Sequence, residues 1–149
     1  MSYIKKVRSK LGSAKFIHPA ARIIIENGQG QVLFIKKRGS GQLGIPAGGM
    51  EENETIEQCI KREVREETGL TIHSLEVLGI SSNPTQETVT YSNGDCIQYF
   101  TVEFYTKDWS GTIKVEDGEE ILSAAFLPKE MYTALPKIEQ SIFKSFDYY

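Results

Sequence analysis

Glu54, Arg62, Glu63, Glu66 and Glu67 gather the chain's most chemically suggestive side chains into one short stretch. Ile56, Ile60 and Val64 recur at every fourth position there, so they share one face of a helix. At about 100° per residue, Glu63 and Glu67 fall within about 20° of the direction of Ile56, inside the apolar stripe. Glu66 lies at its edge, and Lys61 and Arg65 point away. The face is thus apolar in its first half and acidic in its second. Carboxylates this close repel one another, and burying them uncompensated is costly. Their place at a helix C-terminus adds the unfavourable end of the macrodipole. A bound cation resolves the conflict, and hard divalent ions such as Mg²⁺ take carboxylate oxygens while bridging to substrate phosphates. The competing reading is a solvated acidic helix end, as most charge runs are.

The boundaries of this helix are written in its flanks. Thr55 followed by Gln58 fits a capping box, with Asn53 an alternative cap. Gly69 sits where a left-handed residue ends a helix, and Leu70 is placed to fold back on Arg65 or Val64 in a Schellman stop. Upstream, Ile45-Pro46-Ala47-Gly48-Gly49 leads in as a loop. Gly48, five residues, Glu54, seven residues, then Arg62-Glu63-Val64-x-Glu66-Glu67-x-Gly69-Leu70 fills all nine fixed positions of the pattern GX5EX7REUXEEXGU. The stretch resembles the Nudix box, and the chain is similar to Nudix hydrolases.

That resemblance implies an α/β (α+β) Nudix fold, a mixed β-sheet between α-helices with the box as loop-helix-loop. It implies one to three Mg²⁺ or Mn²⁺ ions held by residues matching Glu66 and Glu67, with Glu63 as ligand or base and the Gly48 carbonyl as a further ligand. Arg62 orients the carboxylates, Glu54 ties the box loop to the helix, and Gly69 closes it. The family often adds a carboxylate outside the box. Glu119 and Glu120, just before the last strand, are the foremost candidates, with Glu116 and Asp117 competing and a plain solvated loop as the alternative. The implied reaction is attack of water on a phosphoanhydride of a small nucleotide. Relatives often carry an aromatic residue before the proline of the lead-in, whereas this chain has Leu43, Gly44 and Ile45. Pro84 lies 14 residues after Leu70, slightly short of the proline that marks relatives cleaving ADP-ribose. The resulting expectation is a nucleoside diphosphate linked to another moiety, of the ADP-ribose or nucleotide-sugar type. The alternatives are a pyrophosphatase sanitising oxidised nucleoside triphosphates such as 8-oxo-dGTP, and a non-catalytic ligand sensor, a class that has usually lost the box carboxylates kept here.

The remainder of the chain bounds these readings. Its 149 residues suit one domain, with residues 1–15 as an N-terminal arm or short helix. A net charge of -3 argues against a nucleic-acid polymer or an anionic membrane as partner. Two cysteines, Cys59 and Cys96, suggest neither a disulfide framework nor a zinc cluster. No apolar run suits a signal peptide or membrane span, so the expected location is the cytoplasm. A homodimer is an expectation from the family, with the tail Phe146-Asp147-Tyr148-Tyr149 as a surface that a partner could cover.

Hydropathy alternation places the other elements. Ala20–Ile25 reads as a buried strand bounded by His18-Pro19, with His18 structural. Asn27–Gly30 reads as the turn of a hairpin returning through residues 31–37. Residues 38–44 form a connector, Ser74–Ser81 a strand, and residues 82–86 a loop. Asn93-Gly94 predicts a type I′ hairpin into a strand over Asp95–Tyr105. There Phe100, Val102 and Phe104 face the core, while Tyr99, Thr101, Glu103 and Tyr105 face solvent or, for Tyr99 and Glu103, a substrate cleft. Trp109-Ser110-Gly111 reads as a turn, Ile121–Leu127 as the last strand, and the residues after Pro136 as a helix with Ile138, Ile142 and Phe146 on one face.

Overall fold

The isoleucine run of the first strand is buried on both faces, and this sets the layering. Strand β1 (Phe16–Ile25) sends Ile23 and Ile25 into one core cluster and Ile24 into another, the alternation demanded of a strand between two layers. The computed structural model, which describes residues 2–116 and 120–147, places β1 parallel to β7 (Cys96–Ser110) and antiparallel to β4 (Ala47–Gly49). Strands β5 (Thr71–Ser81) and β6 (Thr88–Thr90) pair antiparallel with β7, completing a mixed five-stranded sheet. A second sheet has the order β3 (Leu43–Gly44), β2 (Val32–Lys37), β8 (Ile121–Leu127).

Helix α2 (Ile56–Thr68) packs Ile60 and Val64 with Ile23 and Phe104 in the first cluster. On the other side, α4 (Lys137–Asp147) brings Ile142 and Phe143 to Ile24, Phe34 and Tyr105. The sheets are therefore flanked by helices, as the α+β expectation required. Helix α1 (Tyr3–Leu11) and the helical turns α3 (Pro84–Glu87) and Lys129–Ala134 complete the chain. No described helix is long and apolar enough to cross a membrane, and both cysteines are free.

Several local expectations need correction. Strand β1 begins at Phe16, so His18-Pro19 lies inside it. The Pro19 carbonyl accepts from Met50 N at 3.0 Å, so its missing N–H faces that side, beyond the last β1–β4 pair and away from the β7 ladder. The Asn27–Gly30 turn forms, with Asn27 N bonded to Gln31 O, but no hairpin follows. Strands β1 and β2 meet only at the Glu26–Val32 bridge and then enter different sheets. Both are apolar on two faces, and β2 finds its pairing partners in β3 and β8.

The β6–β7 hairpin exists, yet its turn is not type I′. Gly94 alone takes a positive φ, and its N–H returns to Tyr91 O, whereas type I′ needs two such residues. Strand β7 runs on through Trp109 and Ser110, where a turn was expected; Trp109 donates to Glu26 O at 2.9 Å and stacks on Phe126. The face of Thr101, Glu103 and Tyr105 is buried rather than solvated, while Phe100 on the supposed core face is 41% exposed. Strand β7 lies between β1 and β5, and from Glu103 to Thr106 its side chains are buried on both faces. Residues 84–86, read as loop, form with Glu87 the single turn α3, capped where Asn83 Oδ1 accepts from Thr85 N.

Candidate active site

The box helix starts as its sequence dictates. Thr55 Oγ1 accepts from Gln58 N at 3.1 Å, and Gln58 Oε1 accepts from Thr55 N at 2.8 Å, a reciprocal capping box. Asn53 instead takes a left-handed conformation in the loop ahead of it. At the other end Gly69, with φ +80°, donates to Arg65 O. Leu70 N turns to Thr68 Oγ1, so the stop is a one-bond left-handed cap rather than a Schellman motif.

This framing sets Arg62 at the centre of an acidic cluster. Its guanidinium grips Glu54 with two bonds of 3.0 and 2.9 Å, and reaches Glu63 at 2.9 Å, Glu66 at 3.3 Å and the Gly49 carbonyl at 3.1 Å. Glu54 also accepts from Glu51 N at 2.8 Å, pinning the loop to the helix. The pairing holds the Glu54 carboxyl below its ordinary range, chiefly through the Arg62 hydrogen bond. Glu67 lies beyond Arg62's reach in the contacts found and accepts from Ala47 N at 3.2 Å.

Strand β4 is seated against these carboxylates because it carries no side chains where they lie. A Cβ on Gly48 would stand 2.1 Å from Glu63 Cδ, and one on Gly49 would stand 2.6 Å from the His18 ring. His18 is buried, with Nε2 at 3.1 Å from Met50 O and Nδ1 unpartnered. The Gly48 carbonyl, in the strand pair with Ala21, also receives the weak thiol contact of Cys59 at 3.8 Å.

Burial, reinforced by neighbouring carboxylates, pushes Glu63 up to about 7 and Glu67 up to about 9. Glu120 is one of those neighbours for both. With Glu116 it lines the same cleft as Glu63, Glu66 and Glu67, so the structure brings Glu120 to the box. Glu119 and Asp117 lie outside the described residues, as do Tyr148, Tyr149 and the side chain of Asp147. Among the described residues, no three His, Cys, Asp or Glu side chains are clustered closely enough to hold an ion as they stand, since Glu63 and Glu66 are drawn onto Arg62. The donor set nonetheless fits a hard divalent cation: carboxylates whose charged form is disfavoured by burial and mutual repulsion, beside a backbone carbonyl.

The cleft continues past Glu67 as a cavity of about 620 Å³. Its walls include Lys37 and Arg38 at and just past the end of β2, Val89, Tyr91 and Tyr99 from the β6–β7 hairpin, and Arg22, Glu87 and Thr101. The hydroxyls of Tyr91 and Tyr99 meet at 2.8 Å.

A model of the NUDIX domain matches residues 16–149. The chain belongs to the Nudix family. It is 42% identical over 65 residues to an RNA pyrophosphohydrolase of Histophilus somni, covering 44% of this chain and 34% of that one. It is 34% identical over 93 residues to an ADP-ribose pyrophosphatase of Methanocaldococcus jannaschii, covering 57% and 54%. The chain thus spans a third to a half of the curated relatives it matches. Among solved structures, the NUDIX domain of Shewanella oneidensis NrtR in complex with ADP ribose superposes with a TM-score of 0.70 at 16% identity, over 99% of this chain and 98% of that one. A MutT NUDIX hydrolase from Burkholderia pseudomallei gives 0.67 at 18% identity, over 87% and 98%. At such identities these structures speak for the Nudix fold alone.

Beyond the Nudix box, the sequence left Arg22, Glu87, Val89 and Tyr91 unread as cleft residues. One signal was present: Arg22 is a lone charge beside three isoleucines in a strand buried on both faces, and a buried arginine calls for a buried acid. Glu87 carried no such mark, because its partner lies 65 positions away.

Proposed function

We propose that the chain is a divalent-metal-dependent pyrophosphohydrolase that cleaves a phosphoanhydride of a nucleoside diphosphate linked to a second moiety, of the ADP-ribose or nucleotide-sugar type. The observation that carries this reading is that Glu63, Glu66, Glu67 and Glu120 line one cleft beside Gly48, and that this cleft adjoins a cavity of about 620 Å³. A cleft of that volume suits a whole small ligand rather than a phosphate alone. The similarity to an ADP-ribose pyrophosphatase supports the choice of substrate class.

Glu63, Glu66, Glu67 and the Gly48 carbonyl hold Mg²⁺ or Mn²⁺ in this reading, with Glu119 or Glu120 available as a further ligand or base. The ion supplies charge neutralisation on the phosphates and acidity for water. Arg62 aims Glu63 and Glu66, and Glu54 fixes Arg62 through its two-bonded grip. The attacking water would pass its proton to a carboxylate of the cluster; the nearness of Glu120 to Glu63 and Glu67 supports it as the candidate for that part. Water's oxygen bonds to one phosphorus as the bridging P–O bond breaks, leaving a nucleoside monophosphate and a phosphorylated second product. Lys37, which lines the cavity near enough to oppose the upward shift of Glu67, would offset negative charge on the departing phosphate.

A second reading, release of pyrophosphate from a triphosphate-ended RNA, is favoured by the relatives named RNA pyrophosphohydrolases and by α1. That helix carries Lys5, Lys6, Arg8 and Lys10 with no acidic residue, and Ile4 on it lines the carboxylate end of the cleft. Side-by-side turnover of ADP-ribose, 8-oxo-dGTP and a triphosphorylated RNA oligonucleotide, each with Mg²⁺, Mn²⁺ or chelator, decides among them. The expected result is AMP and ribose phosphate from ADP-ribose, lost on chelation and in Glu67→Gln. Pyrophosphate from 8-oxo-dGTP or from RNA assigns the protein to those substrates instead. Ligand binding without turnover of any substrate supports a sensor, and turnover that survives chelation removes the metal mechanism.

A further inference from the structure

Where the carboxylate cleft adjoins the 620 Å³ cavity, the wall turns aromatic. Tyr91 and Tyr99 line both spaces, and Val89 lines the cavity beside them. Val89 is 39% and Tyr91 44% exposed. Among the described residues, the other large apolar side chains left this open, such as Val77, Ile80 and Phe100, lie outside the cleft.

An exposed tyrosine at the mouth of a hairpin is ordinary by itself. This one is held. Its hydroxyl meets that of Tyr99 at 2.8 Å. Its backbone is tied on both sides, N donating to Asp95 O at 2.8 Å and O accepting from Gly94 N at 2.9 Å. Tyr99 stacks in turn on buried His18, with ring centroids 6.0 Å apart and planes 26° from parallel. His18 lies against Gly49 of the box lead-in, where a Cβ would stand 2.6 Å from its ring. From outside, Arg8 of α1 bonds the Cys96 carbonyl at 2.9 Å and fastens the hairpin. A continuous run of contacts thus joins the box lead-in to the Tyr91 ring.

A fastened aromatic ring left open beside charged groups suits a ligand with one flat apolar part and one anionic part. The anionic part belongs with the carboxylates and their cation, which leaves the flat part for the tyrosine. A sugar ring brings hydroxyls that need partners, whereas Val89 supplies none and the two tyrosine hydroxyls are turned on each other. We propose that Tyr91 is the residue on which the nucleobase stacks, with Tyr99 as the positioning residue that holds its ring, and that this wall selects purines over the smaller pyrimidines. This deepens the reading of the cleft as a nucleotide site and rests on it.

Calorimetric binding of AMP, UMP and ribose 5-phosphate with Mg²⁺ isolates the base, because the three ligands share the ribose phosphate. The wild type is expected to bind AMP about 10- to 100-fold more tightly than ribose 5-phosphate, the range for one base on an aromatic side chain, with UMP between them. In Tyr91→Ala the advantage of AMP falls to near unity. Tyr91→Phe keeps the ring and loses about 2- to 10-fold, and Tyr99→Phe, which removes the other half of the same hydrogen bond, matches it. With ADP-ribose as substrate, the Tyr91→Ala loss is expected in KM more than in kcat. A merely structural role for Tyr91 weakens all three ligands alike and leaves the AMP to ribose 5-phosphate ratio standing, which overturns the assignment. A wild type that binds AMP no better than ribose 5-phosphate, or UMP as tightly as AMP, overturns it too. So does a raised KM for ADP-ribose with that ratio unmoved, since the sugar of the second moiety then occupies the ring. The ratio is read without catalysis, so failure to turn over any substrate counts against the hydrolase reading alone.

Discussion

Gly48 shows how a single missing atom sets the geometry of the carboxylates. A Cβ at this position collides with the carboxyl end of Glu63 at 2.1 Å, and that end is the flexible part of the side chain. Gly48→Ala is therefore expected to swing Glu63 aside with little loss of stability, while misplacing a reacting-site group by about 1 Å costs about 100-fold in rate. Parallel measurement of kcat and of the thermal midpoint separates the two effects; equal loss of both contradicts the argument. The carboxyls of Glu63 and Glu67 give a second prediction. Their folded-state values near 7 and 9 lie above the roughly 4.3 of an unfolded glutamate. The unfolded chain thus ionises first as pH rises, and the folded chain keeps its protons longer. Their contribution is complete below about pH 4, and stability is lost as pH climbs towards 7 for Glu63 and 9 for Glu67. The metal-free protein should show a falling thermal midpoint from about pH 5 to about pH 9, and Mg²⁺ should restore more at the alkaline end, where fewer protons compete for the oxygens. A metal-induced rise that is the same at both ends sinks this account.

At the scale of the element, α2 holds the candidate-site carboxylates in place because its two ends are stopped by local bonds and its middle is anchored by Ile60 and Val64. The reciprocal bonds between Thr55 and Gln58 satisfy two orphan donors at an exposed site. Thr55→Ala should cost about 1 kcal/mol in equilibrium unfolding and leave kcat nearly unchanged, since the cap lies at the opposite end of the helix from Glu66 and Glu67. Ile60→Ala, within the fully buried cluster, should cost about 2–5 kcal/mol, and chemical denaturation distinguishes the two magnitudes directly. Helix α1 is a different kind of element. It buries no residue, and its anchors are surface bonds: Lys6 to Glu52 at 2.8 Å, Tyr3 N to Glu51 at 3.3 Å, and Arg8 to Cys96 O at 2.9 Å.

Seen as a whole molecule, α1 spans the box loop and the β6–β7 hairpin, two regions that otherwise belong to opposite walls of the cleft. It precedes residues 16–149, the part matched by the family model. Removal of residues 2–11 should therefore leave a cooperative fold, because no core cluster loses a member, and should raise KM several-fold more than it lowers kcat, because Ser2 and Ile4 line the cleft while the carboxylates stay on α2. Steady-state kinetics of the shortened chain checks this; a fall confined to kcat contradicts it.

What the sequence determined alone was the part of the molecule built from neighbours. The cap at Thr55, the stop at Gly69, the apolar stripe and the interrupting carboxylates all depend on spacings of three, four and seven residues, and a helix converts such spacings into geometry without outside help. The Nudix box could be read for that reason, and with it the family and the layered α/β fold. Tertiary structure decided whatever depended on distant partners. Strand β2 left the expected hairpin for a different sheet, β7 was buried on both faces over residues 103–106, and Arg22 met Glu87 across 65 positions. Pairing between strands is chosen by which edges and faces remain to be covered after the whole chain has collapsed, and no local pattern encodes that choice. The carboxylates of the cleft were therefore legible in the amino-acid order, and the Arg22–Glu87 pair in its wall was made by the fold.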